Sequence, residues 1–109
     1  MTRLNDIVRY CDELLAVGDF QDYAPNGLQV EGREQVRTVI SGVTACRALL
    51  DQAIAADADL LLVHHGYFWK GEDPCLVGMK GRRVRALMES GMSLLAYHLP
   101  LDAHPLYGN

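Results

Sequence analysis

The chain has 109 residues, half of them apolar and 22% charged, with a net charge of −4. That length suits one small domain and leaves no room for a second. The acidic balance excludes an overall basic field for nucleic acid or anionic lipid, and no apolar run approaches the ~20 residues that span a bilayer.

At the amino terminus, Arg3, Asn5, Asp6 and Arg9 interrupt any apolar stretch, so no signal peptide is expected. Cys11, Cys46 and Cys75 are odd in number and widely spaced, and they read as free thiols of a reducing cytoplasm. Leu4, Ile7, Val8, Cys11, Leu14 and Leu15 recur at three- and four-residue steps, which predicts an amphipathic helix ending near Gly18. Pro25-Asn26-Gly27 is turn chemistry, and a short apolar Leu28-Gln29-Val30 follows it. Residues 36–43 are rich in β-branched side chains and predict a strand, with Gly42 permitting a close backbone approach. Thr44 is the expected cap of a second helix burying Leu49, Leu50, Ala53 and Ile54. Residues 60–63 are wholly apolar, as in a strand covered on both faces. A glycine-spaced loop is expected over 66–81. A third helix then runs over 82–90 with Val84, Leu87 and Met88 inward and Gly91 as its stop, followed by a strand over 92–97. This alternation predicts a single α/β domain over 1–109, a mainly parallel sheet flanked by helices. The closing Tyr107-Gly108-Asn109 is turn chemistry rather than a finished element, so the chain is expected to be the front part of a longer metal-binding protein.

In an open parallel sheet, ligands bind beyond the carboxyl ends of the strands. His64 and His65 follow the second predicted strand, and His98 and Asp102 follow the third. Imidazole with carboxylate suits Zn, Mn, Fe, Co or Ni rather than calcium. Successive side chains of a strand alternate faces, so His64 and His65 cannot easily share one ion while the strand stays regular. A backbone turn at Gly66 lets them serve two ions, the ~3.5–4 Å arrangement common in hydrolysis. A single histidine at a strand end is more often structural; four with an aspartate, all at or beyond strand ends, favour a metal site. His98 is either a ligand or a residue that orients one, and His104 either orients Asp102 or belongs to exposed loop. Tyr67 and Trp69 either wall a ring-binding pocket or pack their loop onto the core. Lys70, Lys80, Arg82, Arg83 and Arg85 form a local basic patch that fits a solvated helix face better than a phosphate contact. Cys75 lacks a paired cysteine and has little support as a nucleophile. The sequence contains no P-loop, Rossmann glycine fingerprint or Gly-x-Ser-x-Gly elbow.

Four strings carry a resemblance: Asp-Tyr-Ala-Pro-Asn-Gly-Leu-Gln-Val-Glu-Gly (22–32), Gly-Val-Thr-Ala (42–45), Val-His-His-Gly-Tyr-Phe-Trp-Lys-Gly (63–71) and His-Leu-Pro-Leu-Asp-Ala-His-Pro (98–105). In this order they closely resemble the Nif-three-like family, also described as type 2 GTP cyclohydrolase I-like proteins, over essentially the whole chain. The resemblance implies an α/β fold with a dinuclear metal centre, its ligands falling here on His64, His65 and Asp102. It implies that a further His and Glu come from a carboxyl-terminal half beyond this chain, and that the protein assembles as a hexameric ring. The implied activity is that of a metal-dependent hydrolase acting on a small molecule, a nucleotide such as GTP. There, metal-activated water would attack the carbon between the two nitrogens of the guanine imidazole ring. The alternative is a non-catalytic metal-binding or regulatory module that works through protein partners. With the remaining ligands elsewhere, these 109 residues alone are expected to bind metal weakly and turn over nothing.

Overall fold

The computed structural model describes residues 1–108; Asn109, the last residue of the expected closing turn, lies outside the described residues. In chain order the elements are β1 (Thr2–Arg3), α1 (Leu4–Leu14), β2 (Gly27–Val30), β3 (Gln35–Val36), β4 (Val39–Ser41), α2 (Arg47–Ala55), β5 (Leu60–Val63), α3 (Gly78–Ser90), β6 (Ser93–Ala96) and α4 (Leu99–Asp102). Four strands form the main sheet in the order β2-β6-β5-β4. Strands β4, β5 and β6 run parallel, whereas β2 lies antiparallel along β6, pairing Gly27 with Ala96. The architecture is therefore α/β with a mixed sheet, as the alternating pattern leads one to expect. No helix among the described residues is long and apolar enough to cross a membrane.

Alternation along the central strands explains their continuous apolar runs. Leu61, Val63, Leu94 and Ala96 face α2 and α3, packing with Leu50, Ala53, Val84 and Leu87. Leu60, Leu62, Leu95 and Tyr97 face the other way, against Leu4, Ile7, Val8 and Cys11 of α1. A strand covered on both faces needs apolar side chains at every position, and each fully buried leucine stabilises the fold by about 1.5–3 kcal/mol.

Several local expectations are corrected. The segment 36–43 is not one strand. It breaks at Arg37 and Thr38, whose N–H groups both donate to Asp59 Oδ2, at 2.8 and 3.1 Å. The side chain thus takes over the pairing that a strand would have made. Leu28–Val30, left without an element in the sequence reading, is part of edge strand β2. Helix α1 stops at Leu14, before Gly18, and Leu14 is exposed rather than in the buried stripe. Thr44 does not cap α2: that place falls to Cys46, whose side chain makes no capping bond. Helix α3 begins at Gly78, four residues early, and Met88 lies on its exposed side. Gly91 does terminate it, in the left-handed region at φ +74°.

Candidate metal centre

Pairing between β4 and β5 continues past the strand ends and carries two histidines with it. The carbonyl of Val43 accepts the N–H of His64 at 3.0 Å and of His65 at 2.8 Å, and Ala45 N–H donates to the carbonyl of His65. The chain then turns sharply at Gly66. A Cβ there would crowd Gln29 Oε1 at 2.3 Å and Ala96 Cβ at 2.9 Å, so the close approach favours glycine. Gln29 holds this turn from β2, accepting the N–H of Tyr67 at 2.8 Å and donating to its carbonyl at 3.1 Å.

The turn brings both imidazoles to one side. The rings of His64 and His65 have centroids 4.4 Å apart, and each lies within 5.4 Å of the His98 ring. Ring nitrogens of His64, His65 and His98 lie within 4.8 Å of one another, close enough to hold one ion. His98 therefore sits in the cluster itself. Asp102 lies one helical turn further on, its N–H bonded to the carbonyl of His98, and its Oδ1 comes 3.3 Å from His64 Nε2.

Hydrogen bonds on the far sides of the rings set their tautomers. His64 Nδ1 lies 2.8 Å from the Tyr97 carbonyl, which can only accept. That nitrogen carries a proton, which leaves Nε2 as the atom of the ring that faces the Asp102 oxygen. His98 Nδ1 is likewise 2.9 Å from Asp22 Oδ1, so its Nε2 is free to act as a donor atom. Burial, then the positive charge that His64 and His98 can carry, pushes His65 below the usual imidazole range and favours its ligating, neutral form. The donor set thus fits a divalent ion of the zinc–manganese–iron class.

Asp22 carries no local sequence signal that marks it as part of the site. Burial would raise its carboxyl, but bonds from His98, Asn26, Leu99 and Tyr23 outweigh that and hold it at about 2. Asn26 Oδ1 accepts the His98 N–H at 2.7 Å, so the 22–27 turn grips the histidine twice. Trp69 stands edge-on to His98, with ring centroids 5.1 Å apart, and forms one wall of the cluster. Tyr67 is buried and donates its hydroxyl to the Ala45 carbonyl at 2.6 Å; burial pushes that phenol up to about 12. His104 stacks on Tyr107, and its Nδ1 accepts the N–H groups of Leu106 and Tyr107 within its own turn.

The family model described as Duf34/NIF3 (NGG1p interacting factor 3) matches residues 2–109. A protein of Allochromatium vinosum named GTP cyclohydrolase 1 type 2 homolog is 60% identical over 109 residues, all of this chain and 43% of its own length. One of the same name from Pseudomonas aeruginosa is 63% identical over 106 residues, 97% of this chain and 42% of its own. Among solved structures, protein ybgI, described as of unknown function, superposes with a TM-score of 0.96 at 48% identity. That match covers 98% of this chain and 43% of the other. TTHA1606 from Thermus thermophilus gives 0.92 at 44% identity, over 98% and 44%. The chain thus spans less than half the length of the relatives it matches.

Proposed function

The chain belongs to the Duf34/NIF3 family, and from that premise we propose that it supplies part of a dinuclear centre in a metal-dependent hydrolase. His64, His65 and Asp102 are the proposed ligands, joined by His98. The carrying observation is the arrangement of three imidazole nitrogens within 4.8 Å, with Asp102 Oδ1 3.3 Å from His64 Nε2. The substrate class, a nucleotide such as GTP, follows from the name that the curated relatives bear.

A divalent ion held there would lower the pKa of bound water toward ~7 and supply hydroxide at neutral pH. The chain's own residues do the positioning. The Tyr97 carbonyl and the Asp22 carboxylate engage Nδ1 of His64 and of His98, which fixes the ring planes and turns Nε2 of each toward the site. Trp69 offers a flat apolar wall beside them, suited to a ring.

The test uses a protein of the relatives' full length that carries this sequence, loaded with Mn, Zn, Co or Fe and offered GTP and a nucleotide panel. Metal-dependent ring opening that disappears in His64→Ala and in Asp102→Ala is the expected result. Turnover surviving the double variant overturns the ligand assignment. Tight metal binding without turnover of any nucleotide favours the regulatory-module reading instead.

A further inference from the structure

At the amino-terminal ends of α2 and α3 lies a concavity of different chemistry. It has a volume of about 370 Å³ and is lined by Arg47, Met79, Arg82 and Arg83. Three arginines around one hollow are unexpected in a chain of net charge −4. Neighbouring carboxylates neutralise only some of the local charge. Arg47 pairs with Asp51 at 3.0 Å, and the nearby Lys80 pairs with Glu72 at 3.0 Å. Arg82 and Arg83 have no carboxylate partner among the described residues, and Arg83 Nε is buried without any acceptor. A guanidinium cannot shed its proton, so this donor needs an acceptor that the described residues do not supply, a water or a bound anion.

Backbone groups add to this. Arg47 is the first residue of α2 and Met79 the second of α3, so the amino-terminal turns of both helices border the hollow. Neither helix has a side-chain cap bond or an acidic residue in its first turn. Open helix amino termini favour anions. Another cavity, of about 360 Å³, shares Met79 and Arg83 with the first and reaches Thr44 and Trp69. Thr44 Oγ1 lies 3.4 Å from His65 Nδ1, and the Trp69 ring lies 5.9 Å from that of His65. The two hollows therefore run from the arginines to the residues that flank His65.

We propose that the Arg47–Arg82–Arg83 hollow is an anion subsite that takes the phosphate group of a small-molecule phosphate ester, whose remainder lies along the second hollow toward the histidine cluster. Two guanidinium forks without a carboxylate partner line the hollow, and the first turns of two helices border it. They suit the three oxygens and double charge of a phosphate better than a carboxylate. Of the basic patch over residues 70–85, Lys70 and Arg85 line neither hollow and Lys80 is paired; Arg82 and Arg83 are the members left for a ligand. The subsite's role in substrate binding rests on the hydrolase reading, but anion binding itself does not.

The experiment titrates isotope-labelled, metal-free chain with inorganic pyrophosphate at constant ionic strength, with sodium acetate as the comparison, and follows backbone amides by NMR. Saturable shifts at residue 47 and residues 79–83, much weaker with acetate, are expected. Arg83→Gln should weaken pyrophosphate binding at least about tenfold, while Arg85→Gln leaves it unchanged. Should Arg83→Gln not fold, Arg82→Gln on the exposed side must show the loss. Absence of saturable shifts at those amides, equal response to acetate, or full binding in the arginine variants overturns the proposal. Separate zinc titrations keep the two readings apart, because failed zinc binding with intact pyrophosphate binding defeats only the metal centre.

Discussion

Asp22 Oδ1 and His98 Nδ1, from residues 76 positions apart in sequence, meet at 2.9 Å, with the carboxylate side chain only 2% exposed. A carboxylate behind a ligating imidazole fixes its tautomer and raises its basicity. In a protein of the relatives' full length that carries this sequence, Asp22→Asn should therefore lower zinc affinity by roughly 10–100-fold, as read by calorimetric titration. An unchanged dissociation constant would remove Asp22 from the site.

His98 and His104 should behave in opposite ways. His98 has a ring nitrogen in the cluster, whereas the Nδ1 of His104 is engaged by its own turn. His98→Ala should cost more zinc affinity than the roughly 10–100-fold typical of an orienting group; His104→Ala should change it little. Equal losses in the two variants would contradict this placement.

Asp59 provides a pH signature away from the histidines. The N–H of Arg37 is foremost in holding its carboxyl below the usual range. Burial opposes this, while Thr38 and Arg33 reinforce it. A depressed carboxyl contributes stability that is present above its unfolded value and lost as pH falls through the lower folded one. Urea unfolding should show the largest stability gap between the unaltered chain and Asp59→Asn near neutrality, shrinking below pH ~4. A gap that widens in acid would refute the sign.

Tyr97 plays two parts through separate atoms. Its carbonyl holds His64, while its buried hydroxyl donates to Asp12 Oδ1 at 2.6 Å. Tyr97→Phe should lower unfolding free energy by about 1.5–3 kcal/mol, the range for a bond to a charged group. Zinc affinity should stay within twofold or so, since the carbonyl remains. Loss of both properties together would mean that the ring itself positions the site.

How far the sequence revealed this molecule depended on the range of each interaction. Leu60–Val63 and the run from Met92 to Tyr97 were legible as strands because burial on both faces demands apolar side chains throughout. His64, His65 and Asp102 were legible because strand ends in a parallel sheet converge on one rim. Asp22 was not. It reads locally as the start of a turn, and its partner becomes apparent only once β2 is known to run antiparallel beside β6. The break at Arg37 was hidden for a similar reason, since the competing acceptor, Asp59, lies 22 residues away. Arg82 and Arg83 look like any helix-surface cations until the amino-terminal turns of α2 and α3 are seen to share a hollow.

The reversed direction of β2 has a consequence for the order in which the molecule matures. Its amino end, with the 22–27 turn, lies at the rim where β5 and β6 finish. His98 acquires its support only after a segment from the first third of the chain has annealed beside the last strand. Closing so long a loop is a slow, non-local event, so the imidazole geometry should be among the last features to form during refolding. An ion captured by His98 would be linked to that annealing. It should slow amide hydrogen exchange along Gly27–Val30, residues that lie outside the imidazole cluster itself, making the edge strand a remote gauge of occupancy.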